Sequence, residues 1–293
     1  MPDSTSLPFG AKAGVPAGRR WRSLRKHPML YLGVALLVLV ALVAIAAPWI
    51  STHDPQSISP VTRLKPPSAA HYFGTDALGR DVFSRAVWGG RISLVVAIAV
   101  AALASFFGVL LGLVAGFVRL ADGPIMRIMD GMMAIPDILL AIALVAVIRP
   151  SLTTVIIAIT IPQIPRMVRL VRSLALTLRE QLFVEAARAI GTRLPVILWR
   201  HVLPNTMAAV VVQATFIAAT AVLTEAILSF LGVGVPAQVP SWGNMIAEGR
   251  NFVAIAFHVI LFPGILLAVT VLSINLIGDG LRDALDPRLA NQI

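Results

Sequence analysis

The stretch from Met29 to Ile50 contains no charged side chain. A helix of that length, rising about 1.5 Å per residue, crosses a hydrocarbon core of about 30 Å. Predominantly apolar runs recur at about Ser93 to Val118, Met126 to Ile148, Leu152 to Leu170, Met207 to Leu231 and Phe252 to Ile277. Lipid offers no partner to a free backbone N–H or C=O, so a chain of this kind has two solutions, a helical bundle or a closed barrel. Long uninterrupted runs, rather than alternation over about ten residues, select helices. The composition agrees, with 58% hydrophobic and 13% charged residues. The expected fold class is all-α, a polytopic membrane protein with six transmembrane helices.

A basic cluster before the first run, together with Ala44-Ile45-Ala46, imitates a cleavable secretory signal. The run is longer than the 7 to 15 residues or so of a signal peptide, so it is read as a retained first span. Six spans put both termini on one side. The Lys and Arg on that side are Lys12, Arg19, Arg20, Arg22, Arg25 and Lys26 in the tail, Arg119 and Arg127, the group Arg166, Arg169, Arg172, Arg179, Arg188, Arg193 and Arg200, then Arg282 and Arg288. The other side has only Arg63, Lys65, Arg80, Arg85, Arg91, Arg149 and Arg250. The asymmetry predicts cytoplasmic termini in a bacterial inner membrane. It also accounts for the formal charge of +10 without nucleic acid, since no aromatic-interleaved basic domain accompanies it.

The expected organisation is a cytoplasmic tail (1–28), the first transmembrane helix (29–50), an extracytoplasmic loop (51–91), a core of five further helices (92–281) and a cytoplasmic tail (282–293). Pro55, Pro60, Pro66 and Pro67 exclude regular structure from the first half of the loop. Further on, Leu78, Val82, Ala86 and Val87 recur at helical spacing opposite Arg80, Asp81, Ser84 and Arg85, which predicts a short amphipathic helix along the membrane surface with Trp88 at the interface. No metal site is expected: the chain has no cysteine, and its five histidines are scattered. Neither His-Glu-x-x-His nor Gly-x-Ser-x-Gly nor a dinucleotide-type glycine fingerprint occurs, and no lysine follows a glycine as a phosphate loop requires. The chain is therefore read as no enzyme, with no cofactor of its own.

The cytoplasmic segment 171–206 reads as two short helices, with Gly191 ending the first, Thr192 capping the second and Pro195 in the second's first turn. Ala186, Ala187 and Ala189 would let a partner surface approach the first helix, with Glu185 and Arg188 at its edge. The pattern Glu185-Ala186-Ala187, Gly191 and His201-Val202-Leu203-Pro204 resembles the signature loop of ATP-binding-cassette importer permeases. Gly74-Thr75-Asp76-Ala77-Leu78-Gly79-Arg80-Asp81, Leu228-Ser229-Phe230-Leu231-Gly232, Pro240-Ser241-Trp242-Gly243-Asn244 and the ending Gly278 to Arg288 are similar to the C-type subunit of the dipeptide/oligopeptide/nickel permeases. The resemblance implies the type I importer permease fold and a heterodimer with a second, homologous permease in membrane lipid. It also implies two cytoplasmic ATPases that bind ATP and Mg and grip Glu185, Ala186, Ala187, Arg188, Gly191, His201, Leu203 and Pro204. An extracytoplasmic solute-binding protein would deliver dipeptides, oligopeptides or a related solute, with Asp76, Arg80, Asp81 and Trp242 as candidate contacts for it.

Glu225 interrupts the fifth run, where an ionised carboxylate costs roughly 2.5 to 3.5 kcal/mol. Two readings stand for it: a translocation-pathway residue, together with Ser229, or a hydrogen bond to the partner subunit. Asp130 and Asp137 flank Pro136, either as a broken helix beside the pathway or as packing features. His201 is read as a structural contact between the two short helices. A secondary transporter is the nearest rival class, but it would show internal repeats with ionisable pairs at the midplane, and none is detected.

Overall fold

The structure is a computed structural model that describes residues 28–285; the tails expected at 1–28 and 282–293 fall largely outside that range. The described residues are helical apart from loops and one isolated bridge between Thr75 and Asp81. Helix α1 (Pro28–Ile45) and a short α2 (Ala47–Ile50) precede a loop of about the expected extent, with a single 3-10 turn at Pro60–Thr62. There follow α3 (Val82–Phe117), α4 (Arg119–Met133), α5 (Asp137–Val147), α6 (Leu152–Arg179), α7 (Leu182–Ala189), α8 (Leu194–Ile197), α9 (Leu203–Phe230), α10 (Trp242–Gly249) and α11 (His258–Leu285). Five helices are long and apolar enough to cross a membrane, or six if the bent pair α4–α5 is one span.

The bundle forms around α3, which packs along α6 and against α9, while α1 and α9 both lie on α11. Gly108, Gly112 and Gly116 lie four residues apart on α3, and a Cβ added at Gly112 would sit 2.7 Å from the Cβ of Val171 on α6. Small residues at this spacing let two backbones approach where lipid supplies no hydrophobic drive for helix association. Val96, Val100, Val155, Ile159, Met167 and Val171 fill the seam between these two helices.

Two expectations change, and the reading left open at Pro136 is decided. The separate surface helix does not exist, because α3 runs without a break from Val82 to Phe117, with Asp81 as its cap accepting from the Ser84 N–H at 2.8 Å. Nothing in Trp88-Gly89-Gly90-Arg91 ends it: the two glycines admit the indole of Trp242 against the helix backbone instead. The cytoplasmic segment expected from Val171 begins inside a helix, since α6 continues to Arg179 through Pro162 and Pro165. Finally, the third span is broken: α4 and α5 meet at 91° across Ala134–Pro136. The Pro136 ring has no N–H to continue the α4 ladder and disfavours helical geometry at Ile135, so the chain turns there.

Candidate functional site

Two ends of the bundle carry the residues singled out by sequence. At the first lies the hairpin of α7 and α8. Its turn is a complete Schellman motif: Gly191 adopts φ +77°, its N–H donates to the Arg188 carbonyl at 2.9 Å, and the Thr192 N–H donates to the Ala187 carbonyl at 3.0 Å. Thr192 does not cap α8; Arg193 occupies that position with no side-chain cap, and Pro195 sits in the first turn as expected. A π-helical turn, Leu198–Val202, then carries α8 into α9, so that Leu194–Phe230 forms one continuous rod.

The hairpin divides its residues sharply between inside and outside. Val184, Ala187, Ile197 and Val202 are buried in the main core, so Ala187 packs against its own chain and is not the open partner-facing position expected from its size. Glu185, Ala186, Arg188 and Pro204 are exposed, and His201 lies partly buried 6.3 Å from the Phe183 ring, a contact within the hairpin. Three large apolar residues of the hairpin and the turn after it are strongly exposed: Leu182 is 82%, Ile190 83% and Trp199 75% exposed. Pro195, Val196, Trp199, Arg200 and Pro204 line a shallow groove beside them. Sequence reasoning missed this crest, although its signal, apolar residues in an otherwise Arg-rich segment, is present at Leu182, Ile190 and Trp199.

At the opposite end, Asp76, Arg80, Asp81 and Trp242 are 2%, 7%, 2% and 1% exposed, so the chain itself covers the residues expected to meet a binding protein. Asp76 is the hub. Its Oδ1 accepts from the Leu78 and Arg80 N–H groups, while its Oδ2 accepts from Arg80 Nε at 2.7 Å and Arg85 Nη1 at 2.6 Å. Both guanidinium groups reach on to Glu248 of α10, at 2.5 Å from Arg80 and 3.1 Å from Arg85. The Trp242 indole N–H donates to the Ala86 carbonyl at 2.8 Å. The polar side of the expected amphipathic helix is thus an internal charge network that ties the loop to α3 and α10.

Glu225 and Ser229 are 0% and 2% exposed. Ser229 Oγ donates to Glu225 Oε1 at 2.8 Å and accepts from the Val235 N–H at 3.3 Å, while Gly243 presses its backbone on Ala226 and Ser229. The pair is enclosed by its own chain, and Ser229 fastens the returning segment 234–245 onto α9. A carboxyl group in this apolar run is less costly when its own chain hydrogen-bonds it, as Ser229 does at Oε1, while Oε2 is buried without a partner among the described residues.

Asp137 stands differently. It accepts from Arg166 Nη2 at 2.6 Å, Asp130 from Arg169 at 2.6 Å and Asp122 from Arg172 at 2.5 and 2.7 Å. Arg166, Arg169 and Arg172 recur every third residue along α6, and the three pairs form a ladder clamping the α4–α5 elbow to that helix. Arg166 and Arg169 remain 46% and 44% exposed on their side chains, Asp130 58%.

One further assembly was not foreseen. His53 and His71, counted among scattered histidines, lie with ring centroids 4.7 Å apart beside Asp81. They come from segments separated by prolines and turns, so no spacing rule links them.

Known proteins share this chain's sequence and architecture. The family described as binding-protein-dependent transport system inner membrane component matches residues 108–291, and the N-terminal TM domain of oligopeptide transport permease C matches residues 16–67. A probable peptide ABC transporter permease protein of Sinorhizobium fredii is 52% identical over 267 residues, covering 91% of each chain. A putative peptide transport system permease protein of Brucella abortus is 45% identical over 288 residues, covering 98% of this chain and 97% of that one. The dipeptide transport system permease protein DppC of Alkalihalophilus pseudofirmus is 44% identical over 275 residues, covering 94% and 90%. Among solved structures, the inward-facing MetNI methionine ABC transporter has a chain that superposes with a TM-score of 0.51 at 21% identity, covering 70% of this chain and 97% of that one, a likeness of fold. The hairpin, the bundle around it and these matches lead to one assignment: the chain belongs to the family of binding-protein-dependent transport system inner membrane components, the permease subunits of ABC transporters.

Proposed function

We propose that this chain is one of two permease subunits lining the pathway of an ATP-driven peptide importer in the bacterial inner membrane, with both termini cytoplasmic. The observation that carries the coupling half of this reading is the exposed crest of Leu182, Ile190 and Trp199 on a hairpin continuous with α9. Isolated exposed apolar side chains are ordinary, but three large ones on one rigid projection match the buried anchors of a protein interface. One of two cytoplasmic ATPases grips this projection; the two bind the ATP and Mg for which this chain has no motif. Their closure pushes α8 and α9 as one lever and switches the bundle between inward-open and outward-open states. Glu185, Arg188, Gly191, His201, Leu203 and Pro204 shape or rim the gripped surface. The names of the relatives support peptides as cargo, delivered by an extracytoplasmic solute-binding protein that meets the exposed parts of the loop end rather than the internal network.

Trp199→Glu tests the reading. It replaces the exposed indole with a charge, where one aromatic anchor buried by a partner contributes about 2 kcal/mol or more. The ATPases are expected to dissociate during purification and ATP-driven peptide uptake in proteoliposomes to fall at least tenfold, with the melting temperature of the permease itself unchanged. Stoichiometric recovery of a nucleotide-hydrolysing partner with this variant, or failure to recover any such partner with the parent chain, would remove the proposal.

A further inference from the structure

The inference concerns the loop end and is independent of the cargo. Three side chains with metal-ligating atoms converge there: His53, just past α2; His71, in the turn before the Gly74 motif; and Asp81, the cap of α3. One ligand atom from each lies within 4.8 Å of the others. His71 Nδ1 is 2.9 Å and His53 Nδ1 3.9 Å from the same carboxylate oxygen, Asp81 Oδ1. The other carboxylate oxygen, Oδ2, is already occupied by the Ser84 N–H and the Thr52 hydroxyl. Asp81 is therefore held rigidly, with one oxygen left for the two imidazoles.

We infer that His53, His71 and Asp81 form a binding site for a divalent first-row transition cation. Two imidazole nitrogens and one carboxylate suit Zn, Ni, Co or Cu rather than Mg or Ca, which take oxygen ligands. Ligand atoms sharing one tetrahedral Zn are roughly 3.3 Å apart at bond lengths near 2.05 Å. His71 and Asp81 stand at hydrogen-bond distance, 2.9 Å, so a small rotation of the His71 ring brings the pair to that spacing. Asp81 has a side-chain exposure of 0%, and His71 sits in a turn closed by paired hydrogen bonds with Ser68. His53 is the adjustable member. Its side chain is 44% exposed and hydrogen-bonds only to its neighbour Thr52, 3.0 Å from Nδ1.

The exposed side of His53 is also the entry path, and it leaves a position where water completes the coordination. A cation bound here takes the lone pairs of the two Nδ1 atoms, which lie 3.9 and 2.9 Å from Asp81 Oδ1. It joins the end of the first span, the turn at Ser68–His71 and the start of α3, three segments with no other covalent or ionic tie between them at this point.

The test uses the assembled transporter purified through a tag free of histidine and stripped with EDTA. Titration with Co, read by its visible d–d absorption, and with Zn, read by the melting temperature, is expected to show one tight site per chain that EDTA reverses. His53→Ala, whose ring is exposed and leaves the fold intact, is expected to weaken Co binding about tenfold or more, and His71→Gln at least as much. Equal Co affinity in the parent and His53→Ala, or a parent whose spectrum and melting temperature do not respond to either metal, overturns the site.

Discussion

A buried guanidinium is tolerable only while its partners stay charged and in place. Arg85 is 1% exposed and bonds Asp76 and Glu248; its removal leaves Asp76 with one cation fewer in a water-poor site, and breaking such a buried pair costs about 3 to 5 kcal/mol. Glu248 is 25% exposed on its side chain, so water compensates part of its loss. Arg85→Ala is therefore expected to lower the melting temperature of the purified permease by far more than Glu248→Gln, and to free the loop for proteolysis. Equal shifts would mean that Arg85 is solvated after all. These residues were visible in the sequence, but their side of the helix was read as solvent-facing. Periodicity reports that two faces differ; it does not report that a loop folds back and covers the polar one.

Elements in this bundle are joined by fit rather than by hydrophobic excess. Near the end of α3, a Cβ added at Gly116 would lie 2.5 Å from the Cβ of Ala175 on α6, so Gly116→Ala forces the helices apart. Overpacking of this kind costs about 1 to 3 kcal/mol. Moving the methyl across the seam is expected to recover most of that loss: Gly116→Ala with Ala175→Gly should melt closer to the parent than Gly116→Ala alone, a coupling that a double-mutant cycle reads directly. Additive effects would place the two helices further apart than described. The sequence reading did not single out this glycine spacing, and the spacing by itself names no partner, because any of the other apolar helices offers small residues of its own. The same limit held for the broken third span: Pro136 announced an interruption, while the 91° turn depends on Arg166, Arg169 and Arg172 of α6 holding the acidic residues on either side of it.

For the molecule as a whole, that ladder marks a direction. Exposed ion pairs are worth at most about 1 kcal/mol in water, whereas charged side chains facing hydrocarbon cost several times more, so this face of α4 and α6 meets water or protein in the membrane. Reversing one rung, Asp130→Arg, is expected to lower peptide uptake several-fold with little change in melting temperature, and Asp130→Arg with Arg169→Asp to restore it; an inactive double variant would show that the sign at each position matters more than the pairing. The sequence alone settled that the chain crosses a membrane as helices and that a bent pair of short helices precedes the fifth span. Both follow from local chemistry: backbone groups without water must pair within their own helix, and a glycine free to take positive φ, followed four residues on by a proline, favours the end of one helix and the start of the next. Which polar residues are sealed inside, where Glu225 finds its serine, and that His53, His71 and Asp81 meet were decided only by tertiary structure. Those outcomes depend on which segments the helices bring together across tens of residues, and no periodicity along the chain encodes the distance between them.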